Sequence, residues 1–203
     1  MWYMSTSTPK DRLLNAVVEA ALTDGIADKS LRAIAAAAGT SHRMLIHHFG
    51  SKEGLLVEVI RAVEARQRAL FAEWRAGPDE PLEELGRAFW SHLRDPALAP
   101  QERLFFEVYG QALQGREWAK PLLPGVVDDW IGPLTALFTS LGESPATARV
   151  DARLAVAVTR GLLLDVLATG SSAETDAAME RFAQLLADQL TGSGSAGSAG
   201  SAG

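Results

Sequence analysis

The stretch 39-GTSHRMLIHHFGSKEGLL-56 sets three of the chain's four histidines, an arginine and a lysine between an alanine-rich run and an apolar one. Its local signals are those of a turn between two short helices. Gly39 suits a tight reversal, Ser41 is a helix N-cap, and Leu45 and Phe49 stand four residues apart on one helical face. Before it, Ser30 caps LRAIAAAAG, whose Leu31, Ile34, Ala35 and Ala38 share a face and whose end is marked by Gly39. Ala35, Gly39, Leu45 and Phe49 can then form the inner corner of two helices joined at Gly39-Thr40-Ser41, which is helix-turn-helix geometry.

The histidines invite two other readings, and spacing removes both. A helical metal site needs ligands at i and i+3 or i+4. At about 100° per residue, His47 lies roughly 140° from His42, and His48 roughly 120° from it in the other sense. The three therefore splay around the helix, and no metal site is expected. Nucleophilic catalysis needs a base held by an orienting partner, which Ser41 beside His42 does not supply. No GxSxG, Gly-rich phosphate loop or HExxH occurs elsewhere. We expect no catalytic residue, no cofactor and no enzyme.

Outward from this stretch the chain reads as all-α, with about nine helices. The first spans roughly Pro9 to Asp24, and Lys52 opens a long helix that stops before the GPDEP break at Gly77 to Pro81. Further helices are expected near 82–94, 101–114, 124–141, 145–169 and 174–190. Pro96 and Pro100 bracket one loop, Pro121 and Pro124 another, and Ser144-Pro145 reads as an N-cap with proline in the first turn. Pro133 should kink its helix. The tail from Thr191, TGSGSAGSAGSAG, has the composition of an added flexible linker. The expected domains are 9–55, 56–190 and this tail, 191–203.

With 203 residues and 47% hydrophobic side chains the chain can bury a sizeable core. No cysteine is present, which excludes disulfides and thiolate metal sites and fits a reducing compartment. The most apolar segment, LAVAVTRGLLLDVLA, carries Arg160 and Asp165, and the N-terminus lacks a signal-peptide pattern, so neither membrane association nor secretion is expected. Cytoplasm is the expected location. The net charge of −6 is unevenly spread. Residues 1–55 hold six basic and five acidic side chains, net +1, whereas residues 56–203 hold 13 and 20, net −7. The N-terminal region is thus free to face phosphate.

From Arg12 to Val59 the chain resembles the TetR family of bacterial transcriptional regulators. Their DNA-binding domain reads as an alanine-rich helix, then G-V-S-x-x-x-L-Y-x-H-F, then S-K-x-x-L. The matching residues are Ala35 to Ala38, Gly39-Thr40-Ser41, Leu45-Ile46, His47-His48-Phe49, Ser51-Lys52 and Leu55-Leu56. Ile46 stands where the family usually has an aromatic residue, commonly tyrosine, and cannot donate a hydroxyl hydrogen bond to phosphate.

Chemistry and resemblance together assign candidate roles. Lys52, at a helix N-terminus, is the leading phosphate contact, with His47, His48, Thr40 and Ser41 as further donors. Arg43 and His42 project toward base edges, arginine being suited to the O6 and N7 acceptors of guanine. Ser30 and Arg32 point toward the flanking backbone, although Ser30 can equally be a cap alone.

For the larger part the resemblance implies a helical domain that binds a small effector and dimerises through its last two helices. Trp74, Phe89, His92, Phe106, Tyr109, Trp130 and Asp165 are the candidate ligand-contacting residues, because an apolar cavity with a few polar groups suits a drug-sized ligand. An aromatic stripe can equally be core. Asp165 is either at the surface, paired with Arg160 or Arg153, or facing a ligand, since an unpaired buried carboxylate is costly. Val150, Leu154, Ala157, Val158, Gly161 and Leu162, with Met179, Phe182, Leu185, Leu186 and Leu190, can supply a four-helix dimer interface. The expected function is a ligand-responsive regulator, a repressor that binds a palindromic operator in double-stranded DNA as a homodimer and is released by a small, largely apolar effector. The alternative is a helical small-molecule-binding or enzymatic protein whose N-terminal domain does not bind DNA.

Overall fold

A computed structural model describes residues 8–75 and 81–196. The described residues form nine α-helices and no strand: α1 (Pro9–Asp24), α2 (Leu31–Ala37), α3 (His42–Phe49), α4 (Lys52–Arg75), α5 (Leu82–Leu93), α6 (Ala99–Leu113), α7 (Asp128–Ser140), α8 (Pro145–Thr169) and α9 (Ser172–Ala196). A short 3-10 turn at Lys120–Leu122 follows α6.

Local chemistry explains most helix starts. Thr8 and Asp11 form a capping box on α1, in which each side chain bonds the other's backbone N–H. The hydroxyls of Ser30, Ser41 and Ser144 accept from the backbone N–H of Ala33, Met44 and Thr147, each satisfying one of the orphan donors of a first turn. The Ser51 hydroxyl does the same for Gly54 at the start of α4. Prolines depart from expectation at two places. Pro100 lies in the first turn of α6, where its missing N–H costs nothing, and does not bound the loop. The segment at 124–127 stays outside α7, which begins at Asp128.

The chain divides into two compact units. The first holds α1–α3, α4 as far as Gln67, and Pro96–Leu123 with α6. The second holds the rest of α4, α5, α7, α8 and α9. In the first unit α6 packs on α1, where Pro100 lies against Gly25, and the Gln67 side-chain amide donates to Glu102 Oε1 at 2.7 Å. A contact made 35 residues apart is invisible to local periodicity.

The core of the first unit gathers Val17, Val18, Ile26, Ile34, Leu45, Leu55 and Val59, each nearly or fully buried. In the second, Phe71, Leu85, Trp130, Ile131, Phe138, Ala148, Ala152 and Val156 form the central cluster. Its α5–α9 contact is polar: the Trp90 indole N–H and the Arg94 guanidinium both reach Asp176, at 2.7 and 2.8 Å, and Arg87 grips Glu180 with two nitrogens.

Glu143 and Asp151 are buried together in the second unit, and the Gln189 amide donates to Asp151 at 2.7 Å. Burial, followed by the hydrogen bond to Asp151 and that carboxylate's charge, pushes the Glu143 carboxyl up to about 7. The folded chain therefore holds a proton that the unfolded chain has released above the ordinary glutamate range. The resulting stabilisation is complete below about pH 4.5 and is lost as pH rises through about 7. Glu143→Gln, which keeps a neutral hydrogen-bonding group, should flatten this slope and gain on the order of 1–2 kcal/mol relative to the parent above pH 7. Thermal melts across this pH range check it; identical slopes for the two chains would contradict it.

Helix α9 runs through Ala196, beyond the expected end at Leu190 and into the stretch read as a linker. Extending an existing helix needs no new nucleus, so weak helix formers can continue one. Residues 197–203, and most of the expected break at 77–81, lie outside the described residues. Among the described residues no helix is long and apolar enough to cross a membrane.

Candidate nucleic-acid interface

The surface around α3 is built on a corner made by the chain's own backbone. Gly39, with φ +63°, reverses the chain after α2, and the Thr40 N–H donates to the Ala35 carbonyl at 2.9 Å. That conformation strains any side-chain-bearing residue. Below the turn, Ile34, Ala35, Leu45 and Phe49 are buried, so α3 is held by one face only. A second glycine matters at the other end of α3. A Cβ on Gly54 would overlap the Phe49 carbonyl oxygen, so a side chain there would push the start of α4 away from the end of α3.

All nine candidate DNA-binding residues fall in the first unit. Ser30, Arg32, Ser41, His42, Arg43 and His47 are exposed, and Thr40, His48 and Lys52 are half-buried. On α3 the side chains form three rows at i and i+4: His42 with Ile46, Arg43 with His47, and Met44 with His48. The His47 and His48 rings meet edge to face at 4.9 Å. α3 contains no acidic residue. Ser30 and Ser41 use their oxygens as caps yet keep a hydroxyl hydrogen to donate.

Lys52 occupies a position that spacing does not reveal. Its ammonium donates to the Ala27 carbonyl at 2.6 Å, tying the α1–α2 loop to the start of α4. Two of its three N–H donors remain for another acceptor. Lys10, on α1, is paired with Glu58 at 3.0 Å and sits 5.6 Å from the centre of the Phe49 ring. Met44, 41% exposed, also lies on this surface; it has no polar group to mark it, although its angular position outside the Leu45–Phe49 face is legible in the sequence.

The seven candidate ligand-contacting residues are divided between the two units. Trp74, Phe89, His92 and Trp130 cluster in the second unit, with ring centroids at 6.2 Å for Trp74–Phe89, 5.8 Å for Trp74–His92 and 5.6 Å for Phe89–Trp130. Phe71 joins them at 5.1 Å from Phe89, and the Arg68 guanidinium lies 5.8 Å from the centre of the Trp130 ring. Phe106 and Tyr109 belong to the first unit, with ring centroids 5.2 and 5.5 Å from that of Phe105. Asp165 is exposed, and the Thr169 hydroxyl bonds its backbone carbonyl at 2.9 Å. Arg153 pairs with Asp128, and Arg160 donates to the Val126 carbonyl.

Residues 13–59 match the sequence model of the bacterial regulatory proteins of the tetR family. No curated protein matches the chain in sequence. Among solved structures, a regulator assigned to the TetR family from Rhodococcus sp. is 19% identical, with 87% of this chain and 97% of that one covered at a TM-score of 0.66. A transcriptional regulator from Rhodococcus sp. Rha1 is 22% identical over 90% of this chain and 96% of that one, TM-score 0.65. A TetR transcriptional regulator from Legionella pneumophila is 19% identical over 90% and 98%, TM-score 0.62. Residues 13–59 thus resemble the N-terminal domain of the tetR family, and the chain has the fold of these TetR-family regulator structures.

Proposed function

We propose that this chain is a cytoplasmic transcriptional regulator that binds a palindromic DNA operator as a homodimer, acts as a repressor and is released by a small, largely apolar effector. The observation that carries this reading is α3 itself: an acid-free helix, capped by Ser41 and anchored by Leu45 and Phe49, that leaves Arg43 and His47 on its exposed row. Such a helix fits the major groove, where Arg43 can donate to guanine while His47, His48, Thr40, Ser41 and Lys52 meet phosphate. His42 approaches the neighbouring base edge, and Ser30 and Arg32 the flanking backbone.

Exposed Val150, Leu154 and Leu164 on α8 and Leu185 on α9 support dimerisation through these helices, because apolar side chains of this size gain from being covered. A twofold dimer would present its two recognition helices about 34–36 Å apart. The cluster of Trp74, Phe89, His92 and Trp130 is the effector-contacting group we favour. An effector that lowers DNA affinity a hundredfold must bind one of the two states better by about 2.7 kcal/mol.

Selecting bound sequences from random duplex DNA, followed by titration at several salt concentrations, tests the reading. A palindromic site is expected, with affinity falling steeply as salt rises because phosphate neutralisation releases counterions. Lys52→Ala should weaken all sequences alike and reduce the salt slope by about one, whereas Arg43→Ala should relax preference at one position of each half-site, a loss of about 1–3 kcal/mol in discrimination. Absence of binding, or binding indifferent to salt, would favour a helical small-molecule-binding protein instead.

A further inference from the structure

Ile46 is 40% exposed on α3, in an otherwise polar row with His42 and one turn from Arg43. Nothing in the core uses it: Leu45 and Phe49 carry the packing of this helix, fully buried and 9% exposed respectively. A β-branched side chain is also stiff, so its methyl groups sit in one place and lose little freedom on contact. α3 itself carries Arg43 and no acidic residue, which favours an anionic partner over a cationic one. An apolar side chain facing an anionic duplex discriminates best through the C5-methyl of thymine, the one apolar group that projects from a base edge into the major groove.

We propose that Ile46 is a specificity-determining residue that reads the methyl group of a thymine next to the base pair contacted by Arg43. The assignment rests on the DNA-binding function proposed above. Ile46 then replaces a sequence-independent phosphate contact, which a hydroxyl-bearing side chain would give, by a sequence-dependent apolar one. The operator half-site of this protein should carry a thymine that relatives with tyrosine at the equivalent place do not require.

The test uses the full chain and the operator obtained by selection. Each thymine of one half-site, and its symmetry mate, is exchanged for deoxyuridine, which removes the methyl and leaves both base pairing and the hydrogen-bonding edge. The parent should lose about three- to fivefold in affinity per half-site at one thymine, the worth of leaving one buried methyl in water. Ile46→Ala should bind the thymine operator more weakly and lose its sensitivity to the exchange at that same position. Arg43→Ala should keep the sensitivity there. Ile46→Ser, which is smaller and polar, serves as a second variant, and equal melting temperatures show that each exposed substitution leaves the fold intact. Equal affinity of the parent for thymine and uracil duplexes at every position overturns the proposal while leaving DNA binding standing. Full methyl sensitivity retained by both Ile46 variants also overturns it. A chain that binds no duplex overturns the regulator reading, and this assignment with it.

Discussion

Leu45→Ala should destabilise the first unit by about 2–5 kcal/mol and abolish sequence-specific DNA binding at physiological temperature. Leu45 is fully buried at the corner where α3 meets α2, and the helix it anchors is only eight residues long. So short a helix has no independent stability in water; it persists because Leu45 and Phe49 are buried on its inner face while α2 packs against it. Removing three methyl-sized groups leaves a cavity, and the wall that can collapse into it is α3. Chemical denaturation should show a lower midpoint, and amide exchange should show the loss concentrated in α2 and α3. A stability change below about 0.5 kcal/mol, the range of ordinary surface substitutions, would mean that α3 is held by something other than this corner. Loss of DNA binding without loss of stability would be equally inconsistent with the role given to Leu45.

Trp130→Ala should cost about 3–5 kcal/mol and remove most of the near-ultraviolet circular dichroism of the second unit. Trp130 is 8% exposed, 6.3 Å from the Phe71 ring and 5.6 Å from Phe89, with the Arg68 guanidinium near its face. It is therefore a shared wall of the aromatic cluster, and its deletion strips contacts from several neighbours at once. The size of the effect separates the two readings of that cluster. A residue that is core throughout gives the full cost, whereas one lining a cavity that opens for an effector gives much less, because part of its surface already lacks partners. Urea titration of the parent and variant measures the difference directly. A loss under about 1 kcal/mol would move Trp130 from packing to effector contact.

The candidate interface was legible in unequal parts. Ser30, Ser41 and Ser144 as caps, Gly39 as the turn and Leu45 with Phe49 as the inner face follow from signals within four residues of each position, and the structure has them so. Lys52 is different. Its place at a helix start was readable, but its bond to the Ala27 carbonyl joins residues 25 apart, and no local pattern encodes that. Gly54 was read only as part of a helix start, yet its lack of a side chain is what lets α4 begin beside the Phe49 carbonyl. Asp165 looked costly inside LLLDVLA, and three fates were open to it; the rotation of α8 turns it outward. The seven aromatic and polar candidates for an effector site were grouped by composition, and the fold assigns Phe106 and Tyr109 to one unit and the others to another.

The amino-acid sequence by itself determined the all-α class, the order of the helices, the turn at Gly39 and the outward set on α3, because helix periodicity, capping and glycine conformation act over one or two turns of chain. Only the tertiary structure decided that α6 belongs with the N-terminal helices, that Glu143 and Asp151 share a buried site, and that Lys52 spends one donor on a neighbouring loop. These outcomes depend on which faces meet across long sequence separations, where burial and desolvation set the energy and local propensity has no influence.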